Sequence, residues 1–114
     1  MSTNQSKAVH LNTAEFDALV ASSDKPVLVD FWAEWCAPCR ALGPTIDELA
    51  GEFADRATVA KVDIEASPEL ASRFSVNSIP TVIVFRDGEV AHRLTGLAPK
   101  EQFADLLESL IAAA

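Results

Sequence analysis

The stretch PVLVDFWAEWCAPC, residues 26–39, joins a nearly continuous apolar run to two cysteines that are separated by two residues. The run over residues 26–32 is typical of a β-strand that is buried on both faces of a sheet. Beyond the second cysteine, apolar residues recur at helical spacing. The stretch therefore predicts a buried strand that passes into a long helix through Cys36 and Cys39.

Strands and helices alternate on both sides of this stretch. The order β-α-β-α-β-α-β-β-α predicts an α/β fold, with a central mixed five-stranded sheet and helices on both of its faces. The further predicted elements are an edge strand over 8–11, a helix capped by Asn12, a strand over 58–64, a short helix capped by Ser67, strands over 81–85 and 89–95 joined by a hairpin at Asp87-Gly88, and a final amphipathic helix.

Length and charge narrow the class of protein. A chain of 114 residues suits one domain, which we place over residues 8–114 after a flexible tail of residues 1–7. The net charge of −8, with no cluster of Lys or Arg, argues against nucleic-acid binding. The longest apolar stretches are strand-sized, so we expect no membrane span. The polar start lacks the apolar centre of a secretory signal, and we expect a cytoplasmic monomer.

The two cysteines also limit the kind of site. A structural disulfide stabilises mainly by closing a long loop, and the loop between Cys36 and Cys39 is very short. A zinc site needs four ligands, and His10 and His92 lie far from the cysteines without metal-ligand spacing. An iron–sulfur cluster would need four cysteines. We therefore expect no metal and no cofactor, and redox chemistry at the cysteines themselves remains.

The position of the pair assigns a role to each cysteine. Cys36 falls near the predicted helix N-terminus, where free backbone N–H groups and the helix dipole favour a thiolate, so it is the candidate nucleophile. Cys39 faces the interior and can close a disulfide with Cys36. Two incidental buried cysteines are the alternative. A Cys–His hydrolase has little support, because no histidine lies near the motif in sequence.

Several motifs together resemble the thioredoxin family over about residues 8–112. The matching features are the active-site signature at residues 31–40 (FWAEWCAPCR) followed by Pro44, the cis-proline loop at residues 76–81 (VNSIPT), the hairpin at Asp87-Gly88, Gly96, and the buried acid Asp30 with its lysine neighbour Lys61.

The resemblance implies the thioredoxin fold and the reduction of protein disulfides. Cys36 would attack a partner's disulfide and Cys39 would resolve the mixed disulfide, with Cys36 exposed and Cys39 buried. Asp30 lies within an apolar run, and the resemblance implies a buried acid with a raised pKa that exchanges protons with Cys39. Lys61 would pair with Asp30 or extend to the surface.

The resemblance also implies a binding site and partners. The partners would be a thioredoxin reductase and disulfide-containing client proteins, in electron transport and cell redox homeostasis. The bond between Ile79 and Pro80 would be cis. The residues expected to receive an extended client segment are Trp35, Ala37, Pro38, Ile79, Pro80 and Gly96.

Two other functions of the same fold stay open at this point. A disulfide oxidase or isomerase would typically carry an export signal and a histidine between the cysteines, and the sequence shows neither. A non-catalytic binding module or chaperone is the second, although the intact cysteines argue against lost catalysis. The sequence also departs from the usual family pattern at Ala37, where glycine is common, at Arg40, where lysine is frequent, and at Asn77-Ser78.

Overall fold

The computed structural model describes residues 7–113. Its elements follow the predicted order and confirm the α/β class. The flexible tail predicted for residues 1–7 lies, apart from Lys7, outside the described residues. The elements are β1 (Val9–His10), α1 (Thr13–Ser22), β2 (Val27–Trp32), α2 (Ala37–Glu52), β3 (Thr58–Asp63), α3 (Pro68–Arg73), β4 (Thr81–Arg86), β5 (Glu89–Thr95) and α4 (Lys100–Ala112).

The five strands form one mixed sheet in the order β1-β3-β2-β4-β5. β3 runs parallel to both β1 and β2, whereas β4 pairs antiparallel with β2 and with β5. β2 therefore lies at the centre, which explains its nearly continuous apolar sequence. β1 is shorter than the predicted span 8–11.

Helices cover both faces of the sheet. On one face Leu28 of β2 belongs to an apolar cluster with side chains of α2 and α4, among them Leu42, Ile46, Phe103 and Leu107. On the other face the cluster combines β2 with α1 and α3, through Val27, Val29, Phe31, Phe16, Val20 and Leu70. Side chains alternate along a strand, so Asp30 shares the face of Leu28, beneath α2. No helix within residues 7–113 combines the length and the apolar character needed to cross a bilayer.

Local sequence signals predict three of the element boundaries correctly. Asn12 and Glu15 each accept the other's backbone N–H at 2.9 Å, a capping box that starts α1. Asp87 and Gly88 have φ values of 55° and 83°, which a tight turn between β4 and β5 requires. Ser67 occupies the N-cap position of α3 and Pro68 the first helical position, as predicted, but the Ser67 side chain does not cap the helix. Its ψ of 64° differs from the extended backbone of a capping residue, and it makes no cap hydrogen bond.

Candidate active site

The cysteines lie where the central strand gives way to a helix. β2 ends at Trp32, and Cys36 is the N-cap residue of α2. Two hydrogen bonds hold the connection. The Cys36 N–H donates to the Ala33 carbonyl at 3.1 Å, and the Arg40 guanidinium donates to the Glu34 carbonyl at 2.9 Å. The carboxyl edge of β2 thus presents Cys36 at the start of α2.

Cys36 and Cys39 form a disulfide, with their Cα atoms 5.2 Å apart. The backbone N–H of Cys39 donates to the Cys36 Sγ at 3.2 Å. Cys39 is 2% exposed as expected, but Cys36 is only 5% exposed, so the expectation of an exposed Cys36 is wrong for this disulfide form. Trp32, Ile64 and Ile79 pack against the pair. What distinguishes the two residues is access to one cavity beside the pair, which Cys36 lines and Cys39 does not.

That cavity is an apolar groove of about 470 Å³. The loop that carries Ile79 lies across the groove from α2. The Ile79–Pro80 bond is cis, as the resemblance implied. The Ile79 carbonyl oxygen lies 3.7 Å from the Cys36 Sγ, so backbone polar groups and the sulfur meet in one place. The groove is lined by Trp35, Cys36, Ala37, Pro38, Ile64, Val76, Asn77, Ser78 and Ile79.

The structure brings together four of the six residues expected to bind a client: Trp35, Ala37, Pro38 and Ile79. Pro80 and Gly96 do not line the groove. Pro80 is buried, and its carbonyl accepts the Gly96 N–H at 2.8 Å, so the two residues lie side by side where β4 begins and β5 ends. Their contact with a client stays a prediction.

Sequence analysis did not name Ile64 and Val76 as groove residues. A signal for Ile64 was available, because it follows β3, whose carboxyl end lies at the same sheet edge as that of β2. Glu65 was missed as well. The Trp35 side chain is 65% exposed, and its indole N–H donates to the Glu65 carboxylate at 3.1 Å. This hydrogen bond holds the exposed indole ring of Trp35, at the edge of the groove, in one orientation.

Asp30 is a buried carboxyl group, with 1% of its surface exposed. Its Oδ1 has no hydrogen-bond partner within the described part of the chain. Burial raises the pKa of Asp30 to about 7, the Lys61 ammonium opposes this increase, and the Asp47 carboxylate adds to it. The group therefore changes charge near neutral pH.

Asp30 lies close to the cysteines by its place on β2. Leu28, two residues before it, shares an apolar cluster with Leu42 of α2, and Trp32, two residues after it, packs against the cluster of Ala33, Cys36 and Cys39. All three side chains of β2 share one face. Asp30 therefore lies on the sheet face that α2 covers, between Leu28, which belongs to the cluster of α2, and Trp32, which packs against the cysteine pair.

Lys61 is the register partner of Asp30 in the neighbouring strand. Its ammonium is placed differently from the expectation of an Asp30 pair. Among the described residues its ion pair is with Asp47 of α2, at 3.5 Å between Nζ and Oδ1. Sequence analysis missed Asp47, although Cys39, Gly43 and Asp47 follow one another at four-residue spacing and so share a face of α2.

The chain resembles known proteins over most of its length. The family model described as thioredoxin matches residues 7–109. A thioredoxin of Haemophilus influenzae is 39% identical over 106 residues, which are 93% of this chain and 99% of that protein. One of Alicyclobacillus acidocaldarius is 46% identical over 102 residues, 86% of this chain and 96% of that one. Among solved structures, a mutant thioredoxin from Halobacterium salinarum superposes with a TM-score of 0.85 at 33% identity, covering 97% of this chain and 96% of that one.

Proposed function

Because this chain belongs to the thioredoxin family, we propose that Cys36 is its attacking sulfur and Cys39 its resolving sulfur. The protein is a thiol–disulfide oxidoreductase that reduces protein disulfides. Its partners are disulfide-containing client proteins and a reductase that recharges it. The assignment of roles rests on one observation. The Cys39 N–H donates to the Sγ of Cys36, and Cys36 is the cysteine that lines the groove.

In the first step the Cys36 thiolate attacks one sulfur of a client disulfide. The client's S–S bond breaks, a mixed disulfide forms between Cys36 and that sulfur, and the second client sulfur leaves as a thiolate. The N–H of Cys39 and the N-terminus of α2 stabilise the negative charge on the Cys36 sulfur before the attack.

In the second step Cys39 loses its proton and attacks the Cys36 sulfur. The mixed disulfide breaks, the Cys36–Cys39 disulfide forms, and the client leaves as a thiol, so two electrons have passed from the protein to the client. Asp30 accepts the Cys39 proton, directly or through one water. Its place on the sheet face beneath α2, the helix that carries Cys39, and its pKa of about 7 support this role, because a base of that pKa exchanges protons readily at neutral pH.

The groove supplies the binding site for the client. An extended segment that lies against Ile79 would place its disulfide at Cys36, since the Ile79 carbonyl lies 3.7 Å from that sulfur. Backbone hydrogen bonds would give affinity to clients of varied sequence. Trp35 and Pro38 would provide the apolar contact.

We further propose that residues 8–114 act as a single domain, in the cytoplasm and as a monomer, and that the recharging partner is a thioredoxin reductase. The sequence has two cysteines, both in the redox motif, which is typical of a reducing compartment. The net charge of −8 opposes self-association. Cell fractionation and light scattering test these statements.

Variants of the two cysteines test the roles. Cys39→Ser keeps the attacking sulfur but removes the resolving one, so it should accumulate mixed disulfides with insulin. Cys36→Ser is the matched control and should trap none. Neither variant should accelerate insulin reduction by dithiothreitol, as the unchanged protein should. If Cys36→Ser formed mixed disulfides through Cys39 as fast as Cys39→Ser forms them through Cys36, the assignment of roles would be overturned.

A further inference from the structure

Asp47 forms an ion pair with Lys61 near the buried Asp30 carboxyl group. Its Oδ1 lies 3.5 Å from the Lys61 Nζ and accepts the Ala8 N–H at 3.0 Å. The Lys61 side chain is 13% exposed and the Asp47 side chain 30% exposed, so water screens the pair less than it screens a surface pair. The geometry leaves the Lys61 ammonium bound to α2, although its backbone lies beside Asp30.

We infer that Asp47 is a positioning residue for the reaction: its carboxylate holds the Lys61 ammonium on α2 and so keeps that cation from pairing with the Asp30 carboxyl. This inference rests on the proposed role of Asp30 in proton transfer. It assigns to α2 a second task besides carrying the cysteines, which is to keep Asp30 able to bind a proton at neutral pH.

The electrostatic reasoning follows from which charges surround Asp30. Among the described residues, the charged groups that act on Asp30 are Lys61 from β3 and Asp47 from α2, whereas β4 places the apolar Val82 opposite it. A cation in contact with a carboxyl group favours its ionised form. If Lys61 paired with Asp30, the carboxyl would stay ionised and would be a weaker proton acceptor. Asp47 prevents this by offering the ammonium another anion, and its own charge also disfavours ionisation of Asp30.

Asp47 also has a structural contact, which the test has to separate. Its bond to Ala8 ties the segment before β1 to α2. Asp47→Asn keeps a carbonyl oxygen that can accept the Ala8 N–H, while it removes the charge that holds Lys61. Glu48→Gln is the matched control. It removes one negative charge from the next position of the same helix, where Glu48 lies 3.4 Å from Lys100 instead.

The experiment follows the Asp30 carboxyl by carbon-13 NMR as a function of pH, in full-length reduced protein. In Asp47→Asn the titration midpoint of Asp30 should fall by about one pH unit or more, because Lys61 is free to pair with it. Glu48→Gln should leave the midpoint in place. When Lys61 is also replaced by glutamine, Asp47→Asn should lower the titration midpoint of Asp30 much less. An unchanged midpoint in Asp47→Asn overturns the inference, as does a fall of the same size with and without Lys61.

A second measurement separates this inference from the proposed function. The rate at which the mixed disulfide is resolved is measured against pH in the same variants. A pH profile that moves with the Asp30 midpoint supports both proposals. A midpoint that falls while the profile stays fixed supports the inference on Asp47 and overturns the proton-transfer role of Asp30.

Discussion

The backbone N–H of Cys39 donates to the sulfur of Cys36 at 3.2 Å, so the residue proposed to resolve the mixed disulfide also contacts the sulfur proposed to attack. The contact arises because Cys36 is the N-cap residue of α2 and Cys39 lies three residues further, the spacing at which a cap side chain meets a free N–H. The two-residue separation of the cysteines is therefore matched to the geometry of a helix start.

This contact predicts unequal reactivity of the two cysteines after reduction. Cys36 should react with iodoacetamide several-fold faster than Cys39 at neutral pH, because its thiolate is stabilised and its sulfur lines the groove. Mass spectrometry of the labelled peptides against pH measures both rates. Cys39→Ser provides the Cys36 rate alone. Faster labelling of Cys39 in the unchanged protein would contradict the assignment.

The exposed edge of the groove yields a prediction about client binding. Trp35→Ala should raise KM for a protein disulfide about fivefold, since an anchoring aromatic contributes about 1 kcal/mol or more, and should change the free energy of unfolding by less than about 0.5 kcal/mol. Val90→Ala is a matched control, because Val90 is 48% exposed but lies on β5, outside the groove. Equal KM values for the two variants would show that Trp35 does not contact the client.

Most of the fold could be predicted because its signals are local or repeat at short intervals. The apolar run of β2, the capping box at Asn12 and the Asp87-Gly88 turn each follow from neighbouring residues. Strand alternation then settles that helices cover both faces. Ser67 and Pro68 likewise mark the start of α3, but whether the Ser67 side chain makes a cap hydrogen bond depends on its ψ angle, which composition does not determine.

The site could be predicted only in part, because its geometry depends on residues that are distant in sequence. Cys36 and Cys39 are neighbours, and their motif is visible. The partner of Lys61 depends on how α2 lies over β3, and either Asp30 or Asp47 fits the sequence equally well. The groove likewise combines Trp35 with Ile64 and Val76 from other loops. Such contacts follow from packing, which periodicity alone does not give.

Two glycines should respond oppositely to alanine. Gly88 has a φ of +83° in the hairpin with nothing within 4 Å of an added Cβ, so Gly88→Ala should cost about 1 kcal/mol of stability through backbone conformation alone. Gly43 lies within α2, where an added Cβ would meet the Lys61 Nζ at 3.7 Å, an ordinary contact. Gly43→Ala should stabilise the protein by up to about 1 kcal/mol. Denaturant titrations measure both, and a stabilised Gly88→Ala would contradict the turn geometry.

The raised pKa of Asp30 makes stability depend on pH in a definite direction. Its value of about 7 in the folded protein lies above the ordinary 3.8, so between these values the unfolded chain releases a proton that the folded protein keeps. The free energy of unfolding therefore falls as pH rises from about 4 to about 7, and the loss persists above that range. Each pH unit of separation corresponds to about 1.4 kcal/mol, so the loss amounts to about 4 kcal/mol.

Asp30→Asn should remove this loss and slow catalysis at the same time. The variant should gain stability relative to the unchanged protein at pH 8 but not at pH 4, because its amide does not ionise, and resolution of the mixed disulfide should be slower without the proton acceptor. Denaturant titrations at both pH values measure the change in stability. They use the disulfide form, so that no thiol titrates. Single-turnover insulin reduction measures the rate of resolution. Asp105→Asn, which removes an exposed carboxylate from α4, is the control and should change neither. A stability difference that is equal at pH 4 and pH 8, with unchanged kinetics, would show that the Asp30 carboxyl neither titrates near neutrality nor takes the proton of Cys39.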